Sequence, residues 1–160
     1  MGMTRPYVAV CGPASGTRQE LAWAEEVGRL LARSGAVVVC GGLGGVMHAA
    51  AQGAEAEDGT SIGIVPGDDR TPASPHLSAV VATGMGEARN AIIVRTADVV
   101  IAVSGEFGTL SEIALALKMG KPVIGLGTWE LAKGGREIAA IVPARAPAEA
   151  VELALATVAR

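Results

Sequence analysis

The run Ser104-Gly105-Glu106-Phe107-Gly108-Thr109-Leu110-Ser111-Glu112 directly follows an apolar stretch, Asp98 to Val103, where a helix should begin. Two readings fit it. In the first, glycines make a turn and Thr109 forms a capping box with Glu112, whose carboxylate reaches back to the Thr109 backbone N–H. In the second, the free N–H groups of a helix N-terminus hold a phosphate beside a carboxylate. Three other stretches pose the same choice: Cys11-Gly12-Pro13-Ala14-Ser15-Gly16-Thr17, Cys40-Gly41-Gly42-Leu43-Gly44-Gly45-Val46-Met47, and Ala82-Thr83-Gly84-Met85-Gly86-Glu87-Ala88-Arg89-Asn90. Any one of them could be a tight turn that needs positive φ. All four lie between a strand and a helix, which favours an anion site. The candidate binding residues are Gly12, Ser15, Gly16, Gly41, Gly42, Gly44, Met47, Asn90, Gly105, Glu106, Gly108 and Thr109. Met47 also has an ordinary packing role open to it, and Arg89 could equally be an exposed or ion-paired helix residue.

The elements that must position these loops follow from hydrophobic spacing. Short, nearly continuous Val/Ile runs at Tyr7–Cys11, Val37–Cys40, Ser61–Val65, Ser78–Ala82, Val99–Val103 and Pro122–Leu126 read as strands buried on both faces, with a seventh near Ala139–Val142. Helical stretches alternate with them. One opens on Thr17 with Glu20 in capping-box position, carries Leu21, Ala24, Val27 and Leu31 on one face, and stops at Gly35. Others span Gly45 to about Gly59, Gly86 to Ala97, and Thr109 to Gly120; a fifth, Ala146 to Arg160, has Pro147 near its start and Val151, Leu155 and Val158 on one face. The pattern predicts a single α/β domain, Rossmann-like and doubly wound, with a mostly parallel sheet of six to seven strands and helices on both faces. A reversal of strand order after the third strand would bring the loops after strands one, four and five together at a switch point, where such sheets bind ligands. Pro66–His76 is the one long irregular segment, a crossover or lid.

Composition sets limits. The chain has 160 residues, half of them hydrophobic, and only four aromatic side chains: Tyr7, Trp23, Phe107 and Trp129. A net charge of −3 with scattered basic residues gives no nucleic-acid footprint, and the aromatics are too far apart in sequence to form a stacking platform for single strands. No leader peptide is evident, and the apolar stretch Ala91 to Val103 is broken by Arg95 and Asp98, so neither secretion nor a membrane span is expected. A cytoplasmic location is the expectation. Cys11 and Cys40 are too few for a disulfide framework and read as buried small side chains. His48 and His76 lack metal-ligand spacing, so no metal site is expected. A dinucleotide fingerprint, a P-loop and a Gly-x-Ser-x-Gly elbow are all missing. Low-charge helices such as Glu112 to Gly120 suggest a homo-oligomer, dimer or tetramer.

Taken together, Val8 to Gly16, Cys40 to Ala50 and Gly86 to Val123 resemble the Lonely Guy-type superfamily, and most closely its short bacterial members related to the molybdenum-cofactor carrier proteins. The resemblance covers roughly the first five-sixths of the chain. In the phosphoribohydrolases of that superfamily an Arg-Lys pair precedes the fifth strand and a Pro-Gly-Gly-x-Gly-Thr-x-x-Glu loop follows it. The resemblance therefore implies Arg89 and Glu112 as a catalytic pair, with Gly105, Gly108 and Thr109 around a 5′-phosphate. This chain departs from that pattern at Asn90 (for Lys), Ser104 (for Pro) and Glu106 (for Gly). Glu106 adds a negative charge to a phosphate loop, and Asn90 removes a positive one. The leading expectation is thus a protein that binds a small phosphorylated ligand, a nucleotide or the molybdenum cofactor, with no cofactor required. The alternatives are hydrolysis of nucleoside 5′-monophosphates, where a carboxylate would stabilise the ribosyl cation, and a ligand-free scaffold.

Overall fold

A computed structural model describes residues 4–159. Seven strands form one parallel sheet: β1 (Tyr7–Cys11), β2 (Val37–Cys40), β3 (Thr60–Val65), β4 (Ala79–Ala82), β5 (Val99–Val103), β6 (Val123–Leu126) and, last in the chain, β9 (Ile141–Ala144). Their spatial order is β4-β3-β2-β1-β5-β6-β9. The central strands β2, β5 and β6 are wholly buried, as their unbroken Val/Ile runs require. Alternate side chains of β1 serve two cores. Val8 and Val10 face the layer of α1 (Arg18–Arg33), α2 (Val46–Glu55) and α5 (Pro147–Val158). Ala9 and Cys11 face α3 (Asn90–Thr96) and α4 (Phe107–Lys118). The doubly wound α/β architecture is as expected.

Three details differ from the sequence reading. The reversal comes after β4, not after the third strand, because β4 continues outward beside β3. Pro66–His76 belongs to the crossover from β3 to the parallel edge strand β4. The segment after β4 must instead travel back across the sheet, and a 3-10 turn (Gly86–Arg89) running into α3 makes that crossing. Second, the seventh strand sits at Ile141–Ala144, two residues later than expected. Third, a two-stranded antiparallel hairpin, β7 (Leu131–Lys133) and β8 (Arg136–Ile138), stands outside the main sheet. Its turn is Gly134-Gly135, both at positive φ (59° and 78°), a hairpin signal present in the sequence.

Local chemistry fixes the helix ends. The capping box of α1 is complete: the Thr17 N–H donates to Glu20 Oε2 (2.9 Å), and the Glu20 N–H donates to Thr17 Oγ1 (3.2 Å). The crossing of α1 on α2 is close enough to need glycine on both sides. A Cβ on Gly28 would lie 2.1 Å from the Ala50 carbonyl oxygen, and one on Gly53 would lie 1.9 Å from that of Glu25. Replacing either glycine must push the helices apart. Gly53→Ala should cost about 3 kcal/mol, as overpacking at a rigid backbone contact does, and lower Tm by roughly 10 °C in a thermal melt.

Candidate functional site

The carboxyl ends of β1 and β5 enclose a cavity of about 480 Å³. Of the residues singled out in the sequence, Gly12, Met47, Arg89, Asn90, Glu106, Gly108, Thr109 and Glu112 line it. Ser15 and Gly16 do not; the loop turns away after Ala14 toward the cap of α1. Gly41 stands behind the wall, its carbonyl accepting from Arg89 and its Cα against the Met47 sulfur. Gly42 packs on Gly63 and Val65, and Gly44 lies near the Ala14 carbonyl. Gly105 shapes the loop from beneath the Thr109 methyl. These five glycines and one serine lie outside the cavity wall. A second cavity, about 460 Å³, lies at the amino ends of the central strands β1, β2 and β5, around Arg5, Ser34 and Asp98, away from the helix N-termini that meet at the switch point.

Helix α4 begins three residues earlier than the capping-box reading requires, with Glu106 and not Thr109 as its N-cap. Glu106 makes no side-chain cap, and the first intrahelical bond runs from the Leu110 N–H to the Glu106 carbonyl. The N–H groups of Phe107, Gly108 and Thr109 are therefore without helical partners, at the cavity wall. Glu112 is released from any capping role and sits one turn inside, only 7 % exposed. Burial pushes its carboxyl up to about 7; the adjoining Cys11 thiol and the Arg89 charge pull in the other direction without offsetting it. The same burial raises the Cys11 thiol well above its usual range, with the Glu112 carboxylate adding to the effect, and holds Cys40 up to about 11. Both cysteines are free and buried. They are protonated donors, not nucleophiles.

Arg89 is 9 % exposed, and its guanidinium is used as a brace. Nε–H donates to the Ile64 carbonyl at the end of β3 (2.8 Å), one terminal nitrogen to the Gly41 carbonyl after β2 (3.3 Å), and the other to Asn90 Oδ1. Asn90 passes the chain on: its Nδ2–H donates to Ser111 Oγ (2.9 Å), and the Ser111 hydroxyl donates to the Gly108 carbonyl (2.7 Å). Ser111 was not singled out in the sequence, although it lies within the same run. Nor was Glu20, whose Oε1 accepts from the Ser104 hydroxyl (2.7 Å) and so ties the cap of α1 to the loop after β5. Ser104 holds φ 55°. Proline, fixed near about −65°, has no access to that conformation, so the loop differs from the Pro-Gly-Gly pattern in backbone shape as well as in side chains.

The arrangement is that of a Rossmann-like α/β domain, with an open helix end, a buried arginine and a buried carboxyl at the switch point of its parallel sheet. Residues 5–151 match the SLOG cluster4 family, and the chain belongs to it. It is 42% identical over 119 residues to an uncharacterized protein of Archaeoglobus fulgidus, spanning 74% of this chain and 78% of that one. Among solved structures it is similar to the molybdenum cofactor binding protein of Rippkaea orientalis (35% identity, TM-score 0.88, covering 98% of this chain and 99% of that one). It is likewise similar to the molybdenum cofactor carrier protein of Chlamydomonas reinhardtii (33% identity, TM-score 0.85, 98% and 99%).

The raised carboxyl has a measurable sign. A group whose folded-state pKa lies above its unfolded value stabilises most at low pH and loses that contribution as pH rises from about 4.5 to about 7. Glu112→Gln cannot ionise, so relative to wild type it should gain up to about 3 kcal/mol between pH 4 and pH 8. Urea denaturation of both proteins at the two pH values measures this difference.

Proposed function

We propose that this protein binds a phosphorylated pterin-type ligand, the molybdenum cofactor, in the switch-point cavity and holds it as cargo. The observation that carries the reading is the open N-terminus of α4. Three backbone N–H groups without helical partners face a cavity of a size suited to a small ligand. A phosphate there would meet the positive end of a twelve-residue helix. Arg89 adds a fixed positive charge, and its unused donors, with the amide of Asn90 and the carboxyl of Glu112, offer polar partners to a heterocycle. Glu112 has a physical reason to suit an anionic guest. A carboxyl that protonates near neutrality can shed its charge when a second anion enters, where an ordinary one would repel it. Among the described residues, no group of three or more His, Cys, Asp or Glu side chains is placed to hold a metal ion. A metal in this cavity would be held by its cofactor's own ligands. The likeness to cofactor-binding and cofactor-carrier structures at 35% and 33% identity over nearly the whole chain supports the same ligand class.

Hydrolysis of a nucleoside 5′-monophosphate is the second reading, favoured by the presence of Glu112 in the cavity wall. Against it stands the bracing of Arg89. With three of its bonds spent on Ile64, Gly41 and Asn90, the guanidinium has little freedom to follow a ribosyl group through a reaction.

Gly108 offers a clean test, because a Cβ there meets nothing within 4 Å. Gly108→Asp sets a carboxylate over the phosphate seat at a helix position that tolerates an acid. Anaerobically released molybdenum cofactor should raise the Tm of wild type, and Gly108→Asp should bind it roughly tenfold or more weakly while melting no lower than wild type on its own. Equal binding by both proteins would overturn the proposed phosphate seat. Release of free base from nucleoside monophosphates, abolished by Glu112→Gln, would establish the hydrolase instead.

A further inference from the structure

Phe107 is the most exposed large apolar side chain among the described residues, at 77 %. It is not a stray surface residue. It occupies the first position of α4 and lines the mouth of the cavity. Trp129, from the connection that follows β6, packs behind it with ring centroids 5.7 Å apart and planes inclined at 35°. The indole is pinned from below. Its Nε1–H donates to the Glu106 carbonyl (3.3 Å), and a Cβ on Gly105 would approach that nitrogen to 3.2 Å, so the loop leaves room for the ring. Two of the chain's four aromatic residues thus meet at this one spot, although 22 positions separate them in sequence.

We infer that Phe107, backed by Trp129, is a stacking shelf for the flat ring of the ligand, so that the site selects planar heterocycles bearing a phosphate over sugar phosphates alone. The inference rests on the reading of the α4 N-terminus as the phosphate seat, and it adds the other half of the ligand. Helical side chains lean toward the N-terminus of their helix. The ring of Phe107 and the open N–H groups of the same turn therefore project from the same end of α4. A heterocycle with a phosphate a few bonds away can engage both at once. Trp129 holds one side of the Phe107 ring and leaves the other to solvent, which accounts for the exposure. A ring laid on that face would cover apolar surface and gain the offset contact that aromatic pairs favour. The hydrogen bond from the indole to the carbonyl of the N-cap residue couples shelf and seat, because the residue that anchors Trp129 also opens α4.

The test compares neopterin monophosphate, a fluorescent planar probe, with ribose 5-phosphate, which carries a phosphate but no aromatic ring. Binding to wild type, Phe107→Leu and Trp129→Leu would be followed by pterin fluorescence and by thermal shift, with light scattering to report the oligomeric state. Phe107→Leu keeps an apolar helix former at the position and removes only the ring. It should weaken neopterin monophosphate about tenfold and leave ribose 5-phosphate unchanged; Trp129→Leu should act in the same direction. An equal loss for both ligands would mean that the substitution disturbs the loop, and no loss for either would mean that the ring binds elsewhere; each overturns the shelf but leaves the phosphate seat standing. A change of oligomeric state with binding intact would make Phe107 a contact between subunits and also overturn it. If wild type binds neither probe, the phosphate seat itself fails, and the shelf with it.

Discussion

A buried guanidinium needs acceptors for most of its donors, and the architecture of this site follows from the three that Arg89 finds. The ends of β2 and β3 supply two carbonyl oxygens, and Asn90 supplies a third acceptor. These bonds fasten the segment returning from β4 onto the strand ends that it crosses. They also bring a positive charge into the space behind the helix that follows β5. From Asn90 the same chain of hydrogen bonds runs through Ser111 to the first turn of α4. The helix end and the cation are parts of one rigid assembly, and a ligand meeting them would find them already ordered.

The charge deep in the cavity depends on one buried carboxyl. An ionised Glu112 would offset Arg89, and a protonated one leaves that guanidinium uncompensated there, while the exposed carboxylates Glu87 and Glu106 add negative charge at the wall. The elevated pKa of Glu112, caused chiefly by burial, places the choice close to physiological conditions. Cys11 acts here as a weak donor from β1, and its own raised pKa keeps that proton in place. The two cysteines end neighbouring strands, but Cys11 faces α4 whereas the Cys40 thiol is directed at the Met47 carbonyl of α2. Their buried, small-residue reading fits these surroundings.

Much of the fold was legible because parallel strands buried on both faces have an unmistakable composition. Val37–Cys40 and Val99–Val103 begin and end where their apolar runs do. The edge was harder to read. Nothing in Ala79–Ala82 says on which side of β3 it pairs, and that choice moves the reversal by one strand. At the site, residue types were readable but orientation was not. Thr109 and Glu112 have capping-box spacing, and only the start of α4 at Phe107 shows that the box is not used. Arg89 among apolar neighbours gave no hint that its acceptors would be backbone carbonyls, which every residue carries. The meeting of Phe107 with Trp129 joins distant parts of the chain, and no local pattern announces it.

The strained loop after β5 also bears on how this chain could change over generations. Ser104 occupies a left-handed conformation at a cost of order 1 kcal/mol, and its hydroxyl is held by the Glu20 carboxylate that also caps α1. A single change to proline would meet a forbidden φ and leave part of that carboxylate unpartnered. A change at Glu20 alone would uncap α1 and free the serine. Exchange of Ser104 for proline would therefore require the backbone of the loop to change together with the side chain, and the cap of α1 would feel the loss of the serine hydroxyl.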